Sequence, residues 1–151
     1  VFTPRPWPPG AVVDADTVDH LRTSPAAVVL DARAGERYRG EVEPVDARPG
    51  HVPGARNAPW EGNLDPATGR LLPAEALRDR FTALGAGEGR TVVAYCGSGV
   101  TACHDLLALE VAGLGPGRLY PGSWSDWAAQ PDRPAATGPD PAGTGDPSPV
   151  R

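Results

Sequence analysis

The hydrophobic positions of this chain fall into two short continuous runs and several spaced sets. Ala27–Val28–Val29–Leu30 and Val92–Val93–Ala94–Tyr95 are apolar at every position rather than at alternate ones. Such a run is the pattern of a strand covered on both faces, as in a parallel sheet. The first run leads into Asp31–Ala32–Arg33 and the second into Cys96–Gly97–Ser98–Gly99. Each predicted strand thus delivers polar groups at its carboxyl end, where open α/β sheets gather their ligands.

Between these runs the spacing changes to that of helices. Leu72, Leu77, Phe81 and Leu84 share one face of a helix that starts around Pro73 and stops before Gly85. Val100–Leu109 predicts a second helix directly after the cysteine. Val18 and Leu21, capped by Asp14 or Asp16, predict a shorter one that ends near Ser24–Pro25. Gly35–Gly40 holds one helical turn, and Ser123–Trp124–Ser125–Asp126 reads as a capping box opening a last helix to Ala129. Trp124 and Trp127, three apart on that helix, are core candidates.

Brief strands are predicted after the Pro53–Gly54 turn, up to Asn57, and at Arg118–Tyr120. Glu41–Gly50 and Trp60–Arg70 read as loops. The alternation of strands with helices makes α/β with a largely parallel sheet the expected class. Residues 1–11, Pro-rich, are a linker or arm; residues 12–130 are the domain; residues 131–151, dominated by Pro, Gly, Asp and Thr, are a disordered tail.

Composition narrows the function classes. A net charge of −5 and a pI near 5.1 give no basic footprint for nucleic acid or an anionic membrane. No apolar run approaches the roughly 20 residues of a membrane span. Two cysteines seven residues apart make neither a disulfide framework nor a Cys-x-x-Cys metal or redox site. The cytoplasm is the expected compartment. Lys, Ile and Met are absent while Ala, Gly, Pro and Arg abound, the bias of a GC-rich, bacterial coding sequence. A chain without Met has no ordinary initiator, so we expect that Met was removed, that a non-standard start codon was read as Val1, or that this is part of a longer protein.

The candidate chemistry lies at Cys96. Gly97 and Gly99 permit a tight loop whose N–H groups converge on one centre, and the helix that follows adds its positive end. Such a place lowers a thiol pKa and holds an anion beside it. The plainer alternative is a buried structural cysteine next to an ordinary turn. Thr101 reads as the cap between loop and helix, and Cys103 as packing one or two turns in. Asp31 and Arg33 read as a structural pair, and His51 as a loop residue without a clear partner.

Five blocks in order resemble the rhodanese (sulfurtransferase) family: Leu30–Arg33, Arg37–Gly40, Gly50–Ala55, Tyr95–Thr101 and Gly122–Trp127, across roughly residues 12–138. The Cys96–Thr101 loop is similar to that of mercaptopyruvate-using members, and the chain to the catalytic C-terminal half of two-domain members. The resemblance implies a five-stranded parallel sheet flanked by helices. It implies Cys96 as the nucleophile that carries a sulfane sulfur as a persulfide, in a cradle made by Gly97, Ser98, Gly99, Val100 and Thr101. Ser98 would assist at the donor's thiol or carbonyl and Arg37 would bind its carboxylate. The donor would be 3-mercaptopyruvate or thiosulfate, the acceptor cyanide or a thiol, with no metal or organic cofactor. An N-terminal rhodanese-like half is the expected partner. Mercaptopyruvate-using members carry a second arginine nine residues after the first; here that position is Asp46, and Arg48 or Arg39 are the candidates to replace it.

Two competing classes are separable. A cysteine phosphatase needs Cys-x5-Arg to clamp a phosphoryl group, and the sixth residue after Cys96 is Ala102. A non-catalytic rhodanese-like binding module has no need of the cysteine and glycine loop retained here.

Overall fold

The computed structural model describes residues 3, 4 and 6–139. The expectations that concern Val1, Phe2, Arg5 and residues 140–151 lie outside the described residues.

The two continuous apolar runs become the centre of the sheet. Strands β1 (Ala27–Asp31), β2 (Arg56–Asn57), β3 (Thr91–Tyr95) and β4 (Arg118–Leu119) lie in the order β2-β1-β3-β4, all parallel. β1 and β3 run in full register, from Ala27 opposite Thr91 to Asp31 opposite Tyr95. Asp31 therefore ends its strand beside the residue that precedes Cys96.

Side-chain alternation splits these strands between two cores, as their period of two requires. Val29, Val93 and Tyr95 face Val18, Tyr38, Trp124 and Trp127, supplied by α1 (Ala15–Leu21), α2 (Gly35–Tyr38) and α5 (Ser123–Ala129). Val28, Leu30 and Val92 face Leu77, Phe81, Ala108 and Leu109 of α3 (Ala74–Ala83) and α4 (Ala102–Val111). Both faces of the sheet are covered, which is why neither central strand shows a polar alternation.

The expectation of five strands is corrected to four. Beside β4, Val12 makes a single parallel bridge to Leu119, with Val13 N donating to the Leu119 carbonyl and Leu119 N to that of Ala11. The ladder stops there because Gly10, at φ +77, turns the chain in and Asp14 caps α1 immediately afterwards, its side chain accepting from Thr17 N at 2.9 Å. Within the loop expected at Trp60–Arg70, Trp60–Asn63 forms a 3₁₀ helix.

The fold also continues past residue 130. Arg48 donates to the carbonyls of Trp127, Ala128, Gln130 and Arg133 at 2.9 to 3.1 Å, closing the end of α5. His51 and Ala136 exchange two backbone hydrogen bonds, and Trp127 Nε1 donates to the Pro134 carbonyl at 2.7 Å. A tail of polar composition is fixed here by carbonyls and one indole, signals that composition does not carry.

Trp124 and Trp127 are both completely buried, as their spacing predicts. Trp124→Ala removes a large core side chain and the indole bond to the Arg48 carbonyl. It should cost about 3–5 kcal/mol in urea denaturation, whereas Trp7→Ala, at a position 82% exposed, should stay within about 0.5 kcal/mol.

Candidate active site

Cys96 is the first residue beyond β3 and is only 2% exposed. The chain then folds back so that Gly99 N–H donates to Cys96 Sγ at 3.1 Å. Gly99 has φ +85, and a Cβ on it would lie 3.0 Å from Cα and O of Pro121. Both the backbone angle and the close approach demand glycine there. Burial pushes the Cys96 thiol up; the Thr101 hydroxyl and the amides of Ala102, Ser98 and Gly99 pull it down and prevail, so it ionises below its ordinary range. Thr101 is the residue before α4, but its side chain caps no amide and serves the sulfur instead.

The cysteine loop is braced from α5. Cys96 N donates to Ser123 Oγ at 3.1 Å, and Ser123 Oγ donates to the Tyr120 carbonyl at 2.9 Å. The Cys96 and Gly97 carbonyls accept from Trp124 N and Ser125 N at 2.9 and 3.1 Å. The capping box expected at Ser123 is therefore corrected: Gly122 is the N-cap residue, and Ser123 sits inside the helix start at φ +56. Among the described residues it is the one non-glycine at positive φ, a conformation held by its two hydrogen bonds and complete burial. Its bracing role is invisible in sequence, where Ser-x-x-Asp before a helix has a simpler meaning.

Arg37 lies beside this loop, with Nη1 3.6 Å from where a Cβ on Gly97 would stand. Its Nη2 donates to Glu43 at 2.7 Å and to Asp46 at 3.3 Å, while Nε is buried without a partner. Glu43 also accepts from Arg33 Nη1 and from the amides of Val45 and Asp46. Burial opposes its ionisation, but the Asp46 amide, Arg37 and the Val45 amide win and hold its carboxyl below the usual range. Asp46 accepts from Ser125 Oγ at 2.6 Å. Arg48, engaged at the end of α5, does not stand in for a second anchoring arginine, and Arg39 pairs with Glu41.

The structure thus brings together Cys96, Gly97, Gly99, Thr101 and Arg37. Ser98 is exposed and Val100 is 74% exposed, so these two present their side chains outward. Cys103, expected in packing, is exposed and donates to the Gly99 carbonyl at 3.3 Å; it falls on the outer face of α4. The Asp31–Arg33 pair forms as expected, with Nη2 to Oδ2 at 2.7 Å. His51 has partners that no local pattern signals: Nδ1 lies 2.7 Å from the Tyr38 carbonyl, and its ring stacks on Tyr38 at 3.7 Å. Among the described residues no cluster of His, Cys, Asp or Glu is arranged to hold a metal ion.

A second polar cluster, unread in the sequence, lies beneath α4. Asp105 is fully buried; one oxygen accepts from Asn63 Nδ2 at 2.7 Å and the other has no partner. Burial pushes its carboxyl up to about 7, against the pull of Asn63 and Arg80. Two cavities lie away from Cys96: one of 380 Å³ at the amino end of β1, bordered by Arg22, Arg56 and Arg90, and one of 460 Å³ beside Asp19 and Gln130.

Residues 14–130 match the family model described as a rhodanese-like domain. A Pseudomonas aeruginosa protein provisionally named 3-mercaptopyruvate sulfurtransferase is 53% identical over 130 residues, 84% of this chain and 45% of that protein. A Mycobacterium tuberculosis protein provisionally named thiosulfate sulfurtransferase is 46% identical over 73% of this chain and 38% of its own. The Escherichia coli 3-mercaptopyruvate sulfurtransferase is 36% identical over 83% of this chain and 45% of its own. The chain spans less than half the length of these relatives. Among solved structures, an anaerobic ergothioneine biosynthesis enzyme from Chlorobium limicola superposes with TM-score 0.80 at 23% identity, covering 90% of this chain and 34% of that one. At that identity the likeness concerns the fold.

Two measurements test this geometry. In a Cys103→Ser background, the ultraviolet thiolate absorbance should titrate below the ordinary thiol range, and Thr101→Val should move the midpoint up. Asp105 binds a proton in the fold up to about 7 but in the unfolded chain only to its ordinary value of 3.8. Between these values the folded state holds the extra proton, so stability is highest at the acid end, falls as pH rises towards 7, and is flat above. Wild type should lose roughly 2–3 kcal/mol more than Asp105→Asn between about pH 5 and 8 in urea denaturation.

Proposed function

This chain belongs to the rhodanese-like domain family, and from that premise we propose that it is the cysteine-bearing domain of a sulfurtransferase. The observation that carries the reading is the convergence on Cys96 Sγ of the Thr101 hydroxyl and the amides of Ala102, Ser98 and Gly99. A thiolate held by fixed donors is a nucleophile at neutral pH, and the same donors suit the persulfide anion that replaces it.

In the proposed reaction the Cys96 thiolate attacks the sulfur of 3-mercaptopyruvate. The S–C bond breaks, the electron pair passes to the pyruvate fragment, and that fragment leaves after taking up a proton. Arg37 anchors the donor carboxylate through Nη1, which faces Gly97 of the loop, and Ser98 aids departure from its exposed position on the rim. A thiol or cyanide then takes the outer sulfur and regenerates the thiolate. The names of the P. aeruginosa and E. coli relatives favour mercaptopyruvate as donor; that of the M. tuberculosis relative favours thiosulfate. Thiosulfate is a compact dianion, and Arg37 already serves two carboxylates, so mercaptopyruvate is the donor we assign. Since the relatives are more than twice as long as the matched region, a second rhodanese-like half completes the proposal as its partner.

Incubation with either donor should add the mass of one sulfur atom to Cys96, removable by cyanide or dithiothreitol; absence of that adduct with both donors overturns the reading. Cys96→Ser should abolish it, and Arg37→Ala should raise KM for mercaptopyruvate by roughly 10- to 150-fold, the loss of one charge-assisted hydrogen bond. A wild-type kcat/KM that favours thiosulfate reverses the donor assignment.

A further inference from the structure

At the amino end of the sheet, away from the cysteine loop, the wall of the 380 Å³ cavity carries Arg22, Arg56 and Arg90 and no carboxylate. Three arginines around one hollow without an acid reverse the overall balance of a chain whose net charge is −5. Pro25, Ala27 and Leu84, small or apolar residues, complete much of the lining. The other cavity differs. It mixes Asp19 and Asp132 with Arg133, and that arginine is already paired with Asp16.

Two of the three guanidiniums are held in place and still have donors to give. Arg22, at the end of α1, donates from Nε to Asp19 at 2.6 Å and from Nη1 to the Pro53 carbonyl at 3.4 Å. Its Nη2 has no hydrogen bond among the described residues. Asp19 is 44% exposed, so solvent screens the pair and it offsets Arg22 only in part. Arg90, just before β3, folds back over the turn that follows α3, with Nη1 donating to the Gly85 carbonyl at 3.1 Å. A Cβ on Gly85 would lie 3.1 Å from that nitrogen, and φ there is +97, so glycine makes room for the guanidinium. Among the described residues Arg90 forms no ion pair, and its Nε and Nη2 make no hydrogen bond. Arg90 is exposed and Arg22 partly so, which keeps both within reach of a solute. Strand β1 separates this hollow from the cysteine loop: Ala27 lines it, and Asp31, beside Tyr95, lies four steps or about 13 Å further on.

We infer that this cavity binds a diphosphate group, free or as part of a nucleotide, with Arg22 and Arg90 each holding one phosphoryl unit. A guanidinium presents N–H donors in a planar fork that suits the oxygens of a phosphoryl group. Two such groups call for two linked anions. A single phosphate or a monocarboxylate meets one fork and leaves the other in water, whereas a diphosphate engages both for one loss of translational freedom. No bond is assigned to Arg56. Cys96 takes no part, so this site is independent of the sulfur chemistry.

Isothermal titration calorimetry at low ionic strength, without divalent cations, should show one saturable site for pyrophosphate. Inorganic phosphate should bind at least about tenfold more weakly, the worth of one charge-assisted contact. Arg22→Gln and Arg90→Gln should each weaken pyrophosphate binding by about tenfold or more at unchanged urea midpoints. Arg37→Gln, beside the cysteine loop, should bind it as wild type does. ADP separates the two sources: affinity equal to or below that of pyrophosphate assigns the free diphosphate, and tighter binding assigns the nucleotide. No saturable heat with either ligand, or wild-type affinity in either cavity variant, overturns the inference. Loss of binding in Arg37→Gln overturns it as well, because the anion would then sit against the cysteine loop.

Discussion

The buried guanidinium of Arg33 is the interaction on which the carboxyl end of the sheet depends. Its Nε and Nη2 grip Asp31 at the end of β1, its Nη2 also donates to the Gly50 carbonyl at 2.7 Å, and its Nη1 reaches Glu43 at 3.3 Å. It lies over the rings of Tyr95 and Trp124 at 6.0 and 5.0 Å. One side chain thus ties the first strand, the residue before Cys96, the loop that carries Glu43 and the helix that braces the cysteine. Removing one partner of a buried pair leaves the other charged and unsolvated. The effect here extends to Arg37, because Glu43 is shared between the two arginines.

Around Cys96 two effects oppose each other and the outcome decides the chemistry. A thiol at 2% exposure is pushed towards its neutral form by lost hydration. The turn at Gly99 and the start of α4 supply amides and a hydroxyl that reverse the balance. Those donors cost nothing to reorient when charge appears on sulfur, provided the loop is rigid. Rigidity comes from outside it, through Ser123 and the first amides of α5, and Ser123 accepts an unfavourable φ of +56 to give it.

Asp105 shows the same low-dielectric setting without that compensation. Asn63 satisfies one oxygen, the second is unpartnered, and the carboxyl takes up a proton near neutral pH. The difference between a thiolate favoured by burial's surroundings and a carboxylate disfavoured by them is the number of donors aimed at each. Depth alone does not decide which ionises.

By itself the sequence determined the class of fold, both central strands, the five helices and the cysteine at a strand end, because these follow from local spacing. Continuous apolar runs, 3.6-residue periodicity, cap residues and Gly-x-Gly are each written within a dozen positions. It also marked Arg37, Trp124, Trp127 and the Asp31–Arg33 pair. Only the tertiary structure decided the rest. It showed four strands where the family resemblance implies five, Ser123 as a brace rather than a cap, and His51 stacked on Tyr38. It placed Arg48 on carbonyls some 80 residues away in the chain and Asp46 on Arg37 and Ser125. A hydrogen bond or ion pair between distant segments depends on the packing of whole elements, and no residue's neighbours in sequence record which carbonyl or carboxylate that packing will bring within 3 Å.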